Sequence, residues 1–349
     1  MPLPGLEGSP ALKPHMRIGF LISSARVIRP TWTTAHLAHA ALVDQHAVRF
    51  IEAADIEVTA HGKLVARAHI LDGPLSDPTE LANKLSQRKL SRRYVELNTL
   101  DMLLLRANPL TSQVLSMSLL AAEQGVRVYN DPAGIVRTRS KAWLPTLKGI
   151  PTPRTLVSPV LSSARLFAEN LNTDTVLKPV IGSGGHGVQR VRRGDNRAFA
   201  QAFNTIQRQW PGPVVIQAYA SAAAEGEKRV FCVDGQIVGA YLRTRAPGAF
   251  LHNLQQGGKP VPCEVTPADQ AIVAAIAPHL ARNGIRIAGL DIIGGELIEV
   301  NTLNPGGVHY AETFREGADN PGPGWSIATQ VIRKLTTLPN WNLTEANPA

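Results

Sequence analysis

The chain has 349 residues, a formal net charge of +9, 44% hydrophobic and 5% aromatic side chains, and two cysteines, Cys232 and Cys263. That length implies two or three domains, and no apolar run reaches the roughly 18 residues of a membrane span. The basic residues are scattered, and the short clusters at Arg88 to Arg93 and Arg190 to Arg193 carry no interleaved aromatics, which argues for anionic small molecules rather than nucleic acid. Two cysteines fit free thiols in a reducing cytoplasm.

Residues 1–15 hold four prolines and no apolar core, so they are expected to be a disordered extension ahead of a functional start at Met16. An apolar strand is expected over Ile18 to Ser23, a helix over Thr34 to Asp44 and a strand over Ala47 to Ile51. Ile56 to Val58 and Lys63 to Ile70 alternate around Ala60-His61-Gly62 as a hairpin. Leu100 to Leu105 reads as a buried strand, followed by a helix from Thr111 to Glu123 that stops at Gly125 and a strand at Val126 to Val128. Such alternation describes an open α/β sheet, whose ligands bind past the carboxyl ends of its strands. Arg106 follows one such end and is a candidate substrate contact, or an arginine that simply ends a strand in solvent.

Asn130-Asp131-Pro132 breaks the pattern and marks a domain boundary, with a helix expected from Ala133 to about Leu144 that carries Arg137 and Lys141 on one face. In Thr175 to Val191, a strand bearing Lys178 runs into a loop that includes Gly182, Gly184, Gly185 and Gly187, then into a second strand. Glycines let backbone N–H groups approach phosphate closely, so the loop reads as a flap over a nucleotide; a plain mobile loop has the same composition. The G-x-G-x-x-G match lacks the helix and acidic residue of a dinucleotide fingerprint.

Val214 to Ala220, V-V-I-Q-A-Y-A, is an apolar strand entering a linker, which offers backbone groups and apolar walls to an adenine. Alternation in the strand that follows puts Glu227 and Arg229 on one face, an acid for ribose hydroxyls and a guanidinium for a transferring phosphoryl group, or a plain surface arginine. Asp234-Gly235 reads as a type I′ turn. In Gly289 to Gly307, two apolar runs flank Gly294-Gly295 as a second tight hairpin. Glu299 and Asn301 share a face, and Asp291 can lie across from them. Two carboxylates and an amide oxygen suit Mg²⁺ held jointly with phosphate oxygens, although the same pattern suits an ordinary hairpin with exposed acids.

Taken in order, Lys141, Lys178 before a glycine flap, Gln217-Ala218-Tyr219, E-G-E-K-R-V at Glu225, Arg245, Asn253 and the D…E-x-N hairpin resemble an ATP-grasp ligase. The pieces M-R-I-G at Met16, L-D-M-L-L-L-R-A-N-P at Leu100, Y-N-D-P at Tyr129, V-L-K-P-V-I-G-S-G-G at Val176, G-E-K-R-V-F-C-V-D-G at Gly226 and G-L-D-I-I-G at Gly289 are similar to bacterial glutathione synthetase. The resemblance implies an α/β ATP-grasp fold behind an N-terminal open α/β domain. Its parts would be the N-terminal substrate domain 16–131, a central lid domain 132–213, a C-terminal catalytic domain 214–339 and a tail 340–349.

It further implies ATP phosphates on Lys141, Lys178 and the flap glycines Gly184 and Gly185, adenine near Gln217, Ala218 and Tyr219, and ribose on Glu227. Asp291, Glu299 and Asn301 would hold Mg²⁺, with Mn²⁺ as an alternative. Lys178, Arg229 and Asn301 would serve catalysis, and Arg106, Arg229, Arg245, Asn253, Pro305, Gly306 and Gly307 would meet substrate. The implied reaction joins γ-glutamylcysteine and glycine through an acyl phosphate, in a cytoplasmic homo-oligomer that takes small-molecule acid and amine partners and no membrane or nucleic acid. Departures fall at the substrate end, where Leu251-His252 replaces an Arg-Gly pair and Asn304-Pro305-Gly306-Gly307 replaces Ser-Pro-Thr. They keep open a ligase of the same fold acting on another acid and amine, and a non-catalytic nucleotide-binding protein stands as the third reading.

Overall fold

The computed structural model describes residues 16–87, 90–315 and 326–338. The expected extension 1–15, the expected tail 340–349 and the first two residues of the Arg88 to Arg93 cluster lie outside the described residues.

The first unit runs β1 (Arg17–Ile22), α1 (Thr33–Val43), β2 (Ala47–Glu52), β3 (Ile56–Val58), β4 (Leu64–Leu71), α2 (Pro78–Ser86), β5 (Arg92–Glu96), β6 (Met102–Leu105), α3 (Ser112–Glu123) and β7 (Arg127–Tyr129). Its seven-stranded sheet has the order β3-β4-β2-β1-β6-β7, with β5 paired to β4. β1 is parallel to both β2 and β6, so the strand order reverses there and the loops after Ile22 and Leu105 open a crevice between them. The β3–β4 hairpin forms as its alternation implied. α2 and β5 arise where no element was expected; α2 is started by Pro78 and by Asp77, whose carboxylate accepts from the N–H groups of Thr79 and Glu80.

α4 (Pro132–Thr138) then leads to β8 (Thr155–Ser158), α5 (Leu161–Glu169), β9 (Thr175–Pro179), β10 (Gln189–Val191), α6 (Asn196–Gln209) and β11 (Val214–Ala218). The helix expected to reach Leu144 ends at Thr138, and Arg137 and Lys141 do not share a helical face. The Ser140 hydroxyl accepts from the Ala142 N–H, and the Lys141 N–H donates to Val180 O at 2.9 Å, so a turn stitched to the outgoing end of β9 replaces the last helical turns. β11 pairs with β8 and β9 and belongs to the central sheet, β10-β9-β11-β8, which moves the boundary expected at 213/214 to a point beyond Ala218.

The last unit holds β12 (Glu227–Val233), β13 (Gln236–Thr244), β14 (Lys259–Val261), α7 (Pro267–Arg282), β15 (Ile287–Ile293), β16 (Glu296–Asn301), α8 (Val308–Thr313) and α9 (Ile327–Thr337). Its antiparallel sheet runs β14-β13-β12-β15-β16. Both tight turns form: Asp234 and Gly235 have φ of 49° and 71°, and Gly294 and Gly295 have 55° and 80°, the positive pair a type I′ turn needs.

The first and last units share their hydrophobic cores. One cluster joins Phe20, Leu37 and Phe50 to Phe231, Tyr241 and Ile327; another joins Leu21, Leu103 and Leu105 to Cys232, Ile276 and Leu290. Asn130 keys the same junction. Its amide donates to Ile287 O and Thr302 O at 2.7 and 2.8 Å and accepts from the Arg286 and Ile287 N–H groups, both at 2.8 Å. The central unit has a separate core of Leu177, Phe199, Phe203, Ile206 and Ile216.

Candidate active site

A cleft with about 960 Å³ of empty space lies between the central and last sheets. Register builds its floor. Arg229 on β12 stands opposite Asp291 on β15, which stands opposite Glu299 on β16, so one row across three strands carries a cation and two acids. Gly289 lies one pleat on; a Cβ there would come within 3.0 Å of Arg229 Nη1, so glycine gives the guanidinium room to lie along the sheet. Arg229 donates to Asp291 through Nε at 2.6 Å and Nη2 at 3.2 Å. Asn301 Nδ2 donates to Asp291 Oδ2 at 3.0 Å and to Gly289 O at 3.3 Å, and its amide oxygen takes part in neither bond.

The other wall comes from the central unit. Lys178 is buried on β9 and donates to Gln217 Oε1 on β11 at 2.9 Å. Lys141 Nζ donates to Gly182 O at 2.7 Å and lies 3.3 Å from Glu299 Oε1, which spans the cleft. The glycine loop, Gly182 to Gly185 with His186, forms the roof. It touches the segment after β13: a Cβ on Gly185 would lie 3.1 Å from Leu251 Cδ1, and Gln256 donates to Gly184 O at 3.3 Å.

Charge is dense here. Burial raises the Glu227 carboxyl to about 7, and Asp291 adds to the rise. Burial alone would raise Asp291 as well, but the Arg229 and Arg243 guanidiniums hold it well below the usual carboxylate range. Burial lowers Lys178. Lysines 141 and 178 with arginines 229 and 243 thus surround Glu227, Asp291 and Glu299 in a site suited to polyanion phosphates.

Lys141, Lys178, Gly184, Gly185, Gln217, Ala218, Tyr219, Glu227, Arg229, Asn253, Asp291, Glu299 and Asn301 all line this cleft. Arg106, Arg245, Pro305, Gly306 and Gly307 do not. Arg245 donates to the Tyr219 hydroxyl at 3.4 Å, beside the Arg190 guanidinium stacked 3.7 Å from the Tyr219 ring. Gly307, expected to meet substrate, instead donates its N–H to Thr33 Oγ1 at 3.1 Å and caps the start of α8. Arg106 is buried in the crevice past β1 and β6, donating to Thr34 Oγ1 and to Pro305 O, both at 3.1 Å.

Arg243 also lines the cleft, and sequence reasoning passed it over. It reaches Glu227 at 2.9 Å and Asp291 at 2.6 Å, tying both acids together. The turn at Asp234-Gly235 held the signal, because the hairpin it closes places Arg243 opposite Glu227.

Among the described residues no group of three or more His, Cys, Asp or Glu side chains is arranged around a metal position. The donor set here is smaller, two facing carboxylates and the amide oxygen of Asn301, and so few hard oxygens fit a divalent ion that shares its coordination with phosphate.

Models of the prokaryotic glutathione synthetase N-terminal domain and of its ATP-grasp domain match residues 16–136 and 143–316. A glutathione synthetase of Synechococcus elongatus is 29% identical over 332 residues, covering 93% of this chain and 99% of that one. One from Agrobacterium fabrum is 32% identical over 228 residues, 64% and 70% of the two chains. In fold, the chain is similar to a D-cycloserine synthetase (TM-score 0.61, 17% identity, 91% and 98% covered) and to the D-Ala:D-Ser ligase of Enterococcus faecalis (TM-score 0.58, 14% identity, 93% and 99% covered). No helix among the described residues is long and apolar enough to cross a membrane. This chain belongs to the prokaryotic glutathione synthetase family of ATP-grasp ligases, ATP-using enzymes that form C–N bonds between small molecules.

Proposed function

We propose that the protein condenses γ-glutamylcysteine and glycine to glutathione, with ATP converted to ADP and phosphate. The observation that carries the reading is the convergence of Lys141, Lys178, Arg229 and the Asp291–Glu299 pair on one cleft roofed by glycines. The substrate carboxylate attacks the γ-phosphorus, ADP leaves, and the amine then displaces phosphate from the acyl phosphate. Such transfers need positioning and charge neutralisation rather than a protein nucleophile. Lys141 and Lys178 hold the phosphates, Gln217, Ala218 and Tyr219 flank the adenine, and Glu227 takes the ribose. Arg229 neutralises the phosphoryl group in flight. Asp291, Glu299 and Asn301 would hold Mg²⁺, or Mn²⁺, which when bound offsets phosphate charge. The flap excludes water from the acyl phosphate. Arg106, buried with no carboxylate partner among the described residues, holds an anionic end of the acid substrate. Arg245 and Asn253 support the amine side. A cytoplasmic setting suits the free thiols Cys232 and Cys263.

A second reading has an observation of its own. Leu251 stands where the resemblance calls for an arginine, so close to the flap that a Cβ on Gly185 would lie 3.1 Å from its Cδ1, which favours an amine or acid that brings no carboxylate to that point. Phosphate release from Mg-ATP, measured with γ-glutamylcysteine and glycine together and singly, tests both. Release that needs both, with glutathione detected by mass, supports the first; release only with other acids or amines supports the second.

A further inference from the structure

We propose that β5 is the edge through which two copies of this chain pair, antiparallel, around a two-fold axis at Tyr94. Three observations converge. β5 pairs only with β4, so among the described residues its outer row of backbone N–H and C=O groups has no strand beside it. Tyr94, at the middle of this strand, is 68% exposed, the most exposed of the large hydrophobic side chains among the described residues. Reversed upon itself, the strand Arg92-Arg93-Tyr94-Val95-Glu96 sets an arginine opposite a glutamate at both ends and a tyrosine opposite a tyrosine at the centre.

The third point decides the partner. A two-fold through Tyr94 sets Tyr94 against the partner's Tyr94, Arg93 against the partner's Val95 and Arg92 against the partner's Glu96. Solitary edges are commonly protected by like charges that repel on self-pairing. Here reversal brings opposite charges together. Glu96 already accepts from Lys63 at 3.0 and 3.1 Å, and Arg92 donates to Asp55. Pairing would therefore extend each bridge into an alternating row, Lys63 and Glu96 of one copy, then Arg92 and Asp55 of the other. Arg67, directly across β4 from Tyr94, would flank the central tyrosine pair on both sides. The seven-stranded sheet would continue across the axis without an edge.

Because the axis passes through one residue, the test is built on that residue. Tyr94→Lys and Tyr94→Glu each place like charges face to face and should halve the solution mass measured by light scattering, whether the wild-type protein is a dimer or a higher even-numbered assembly. An equimolar mixture of the two variants should recover the wild-type mass, because Lys then faces Glu. Thermal melts of the variants, matched to wild type, separate loss of pairing from loss of fold at this exposed position. A monomeric wild-type protein at micromolar concentration, variants that keep the wild-type mass, or a mixture that stays at the halved mass would each overturn the assignment. Activity with γ-glutamylcysteine is not the readout, so the interface stands or falls apart from the substrate.

Discussion

Arg106 and Arg229 grip consecutive carbonyls of one loop: Arg106 Nη1 donates to Pro305 O at 3.1 Å, and Arg229 Nη1 donates to Gly306 O at 3.2 Å. The two guanidiniums come from different units, one at the end of β6 and the other on β12, yet they are separated by a single peptide group. The loop is thereby positioned from both sides, and Arg106, whose burial lowers it to about 9, faces the crevice of the first sheet.

Arg106→Met is expected to raise KM for the acid substrate by roughly 10- to 100-fold, the worth of one charge-assisted hydrogen bond, with kcat and KM for ATP changed only a few-fold. Steady-state kinetics with each substrate varied in turn checks this. A fall in kcat at unchanged KM would make Arg106 a prop for the loop and for Arg229 instead.

Lys178→Met and Glu299→Ala are expected to reduce kcat by at least about 100-fold while far-ultraviolet circular dichroism stays as in wild type. The two sit on opposite walls of the cleft, so losses from both would show that the central and last units serve one site. Full turnover in either variant would remove that residue from the site.

Arg243→Met leaves Glu227 and Asp291 buried with one guanidinium fewer, at an expected cost of about 3 to 5 kcal/mol by urea unfolding. Adding Asp291→Asn to Arg243→Met should recover part of that loss, because the uncompensated charge goes with it. The double variant remains inactive if Asp291 serves as assigned.

Glu227 titrates at about 7 in the folded protein against an ordinary value of 4.5. Between those values the folded state keeps a proton that the unfolded chain has released. Its contribution is therefore fully present below 4.5 and is lost as pH rises through about 7, at most about 3 kcal/mol. Asp291 acts with the opposite sign and in a lower window, because its folded value lies below the ordinary 3.8. Burial lowers His69 and His252, which adds an opposite slope in the same window, so the readout is a difference: relative to Glu227→Gln, the nucleotide-free wild-type protein should lose stability to urea from pH 4.5 to 7. The same slope in both proteins would reject the assignment.

What was legible in the chain was local. Asp291, Glu299 and Asn301 could be placed together because a strand repeats every second residue and Gly294-Gly295 fixes the turn. Lys178 could be placed beside the glycine loop because the glycines follow it directly. What was not legible depended on partners far along the chain. The Gly307 N–H is taken by Thr33, 274 residues away, and the Lys141 turn is set by the Val180 carbonyl. β11 reads like any apolar strand, and only its neighbours β8 and β9 assign it to the central sheet. Asp77-Pro78 announced α2 plainly, but between weaker signals it was passed over.

The four hydrogen bonds of the Asn130 side chain, together with the apolar side chains that β1 and β6 share with β12 and β15, weld the first and last units into a fixed jaw. The central unit, which carries the glycine loop, keeps a core of its own and so can move as one body against that frame. Nucleotide entry then calls for swinging one small body against a rigid frame rather than loosening the whole molecule. In hydrogen exchange, amides of β1, β6, β12 and β15 should open together as one slow unit, while those of β9 to β11 follow a faster clock of their own.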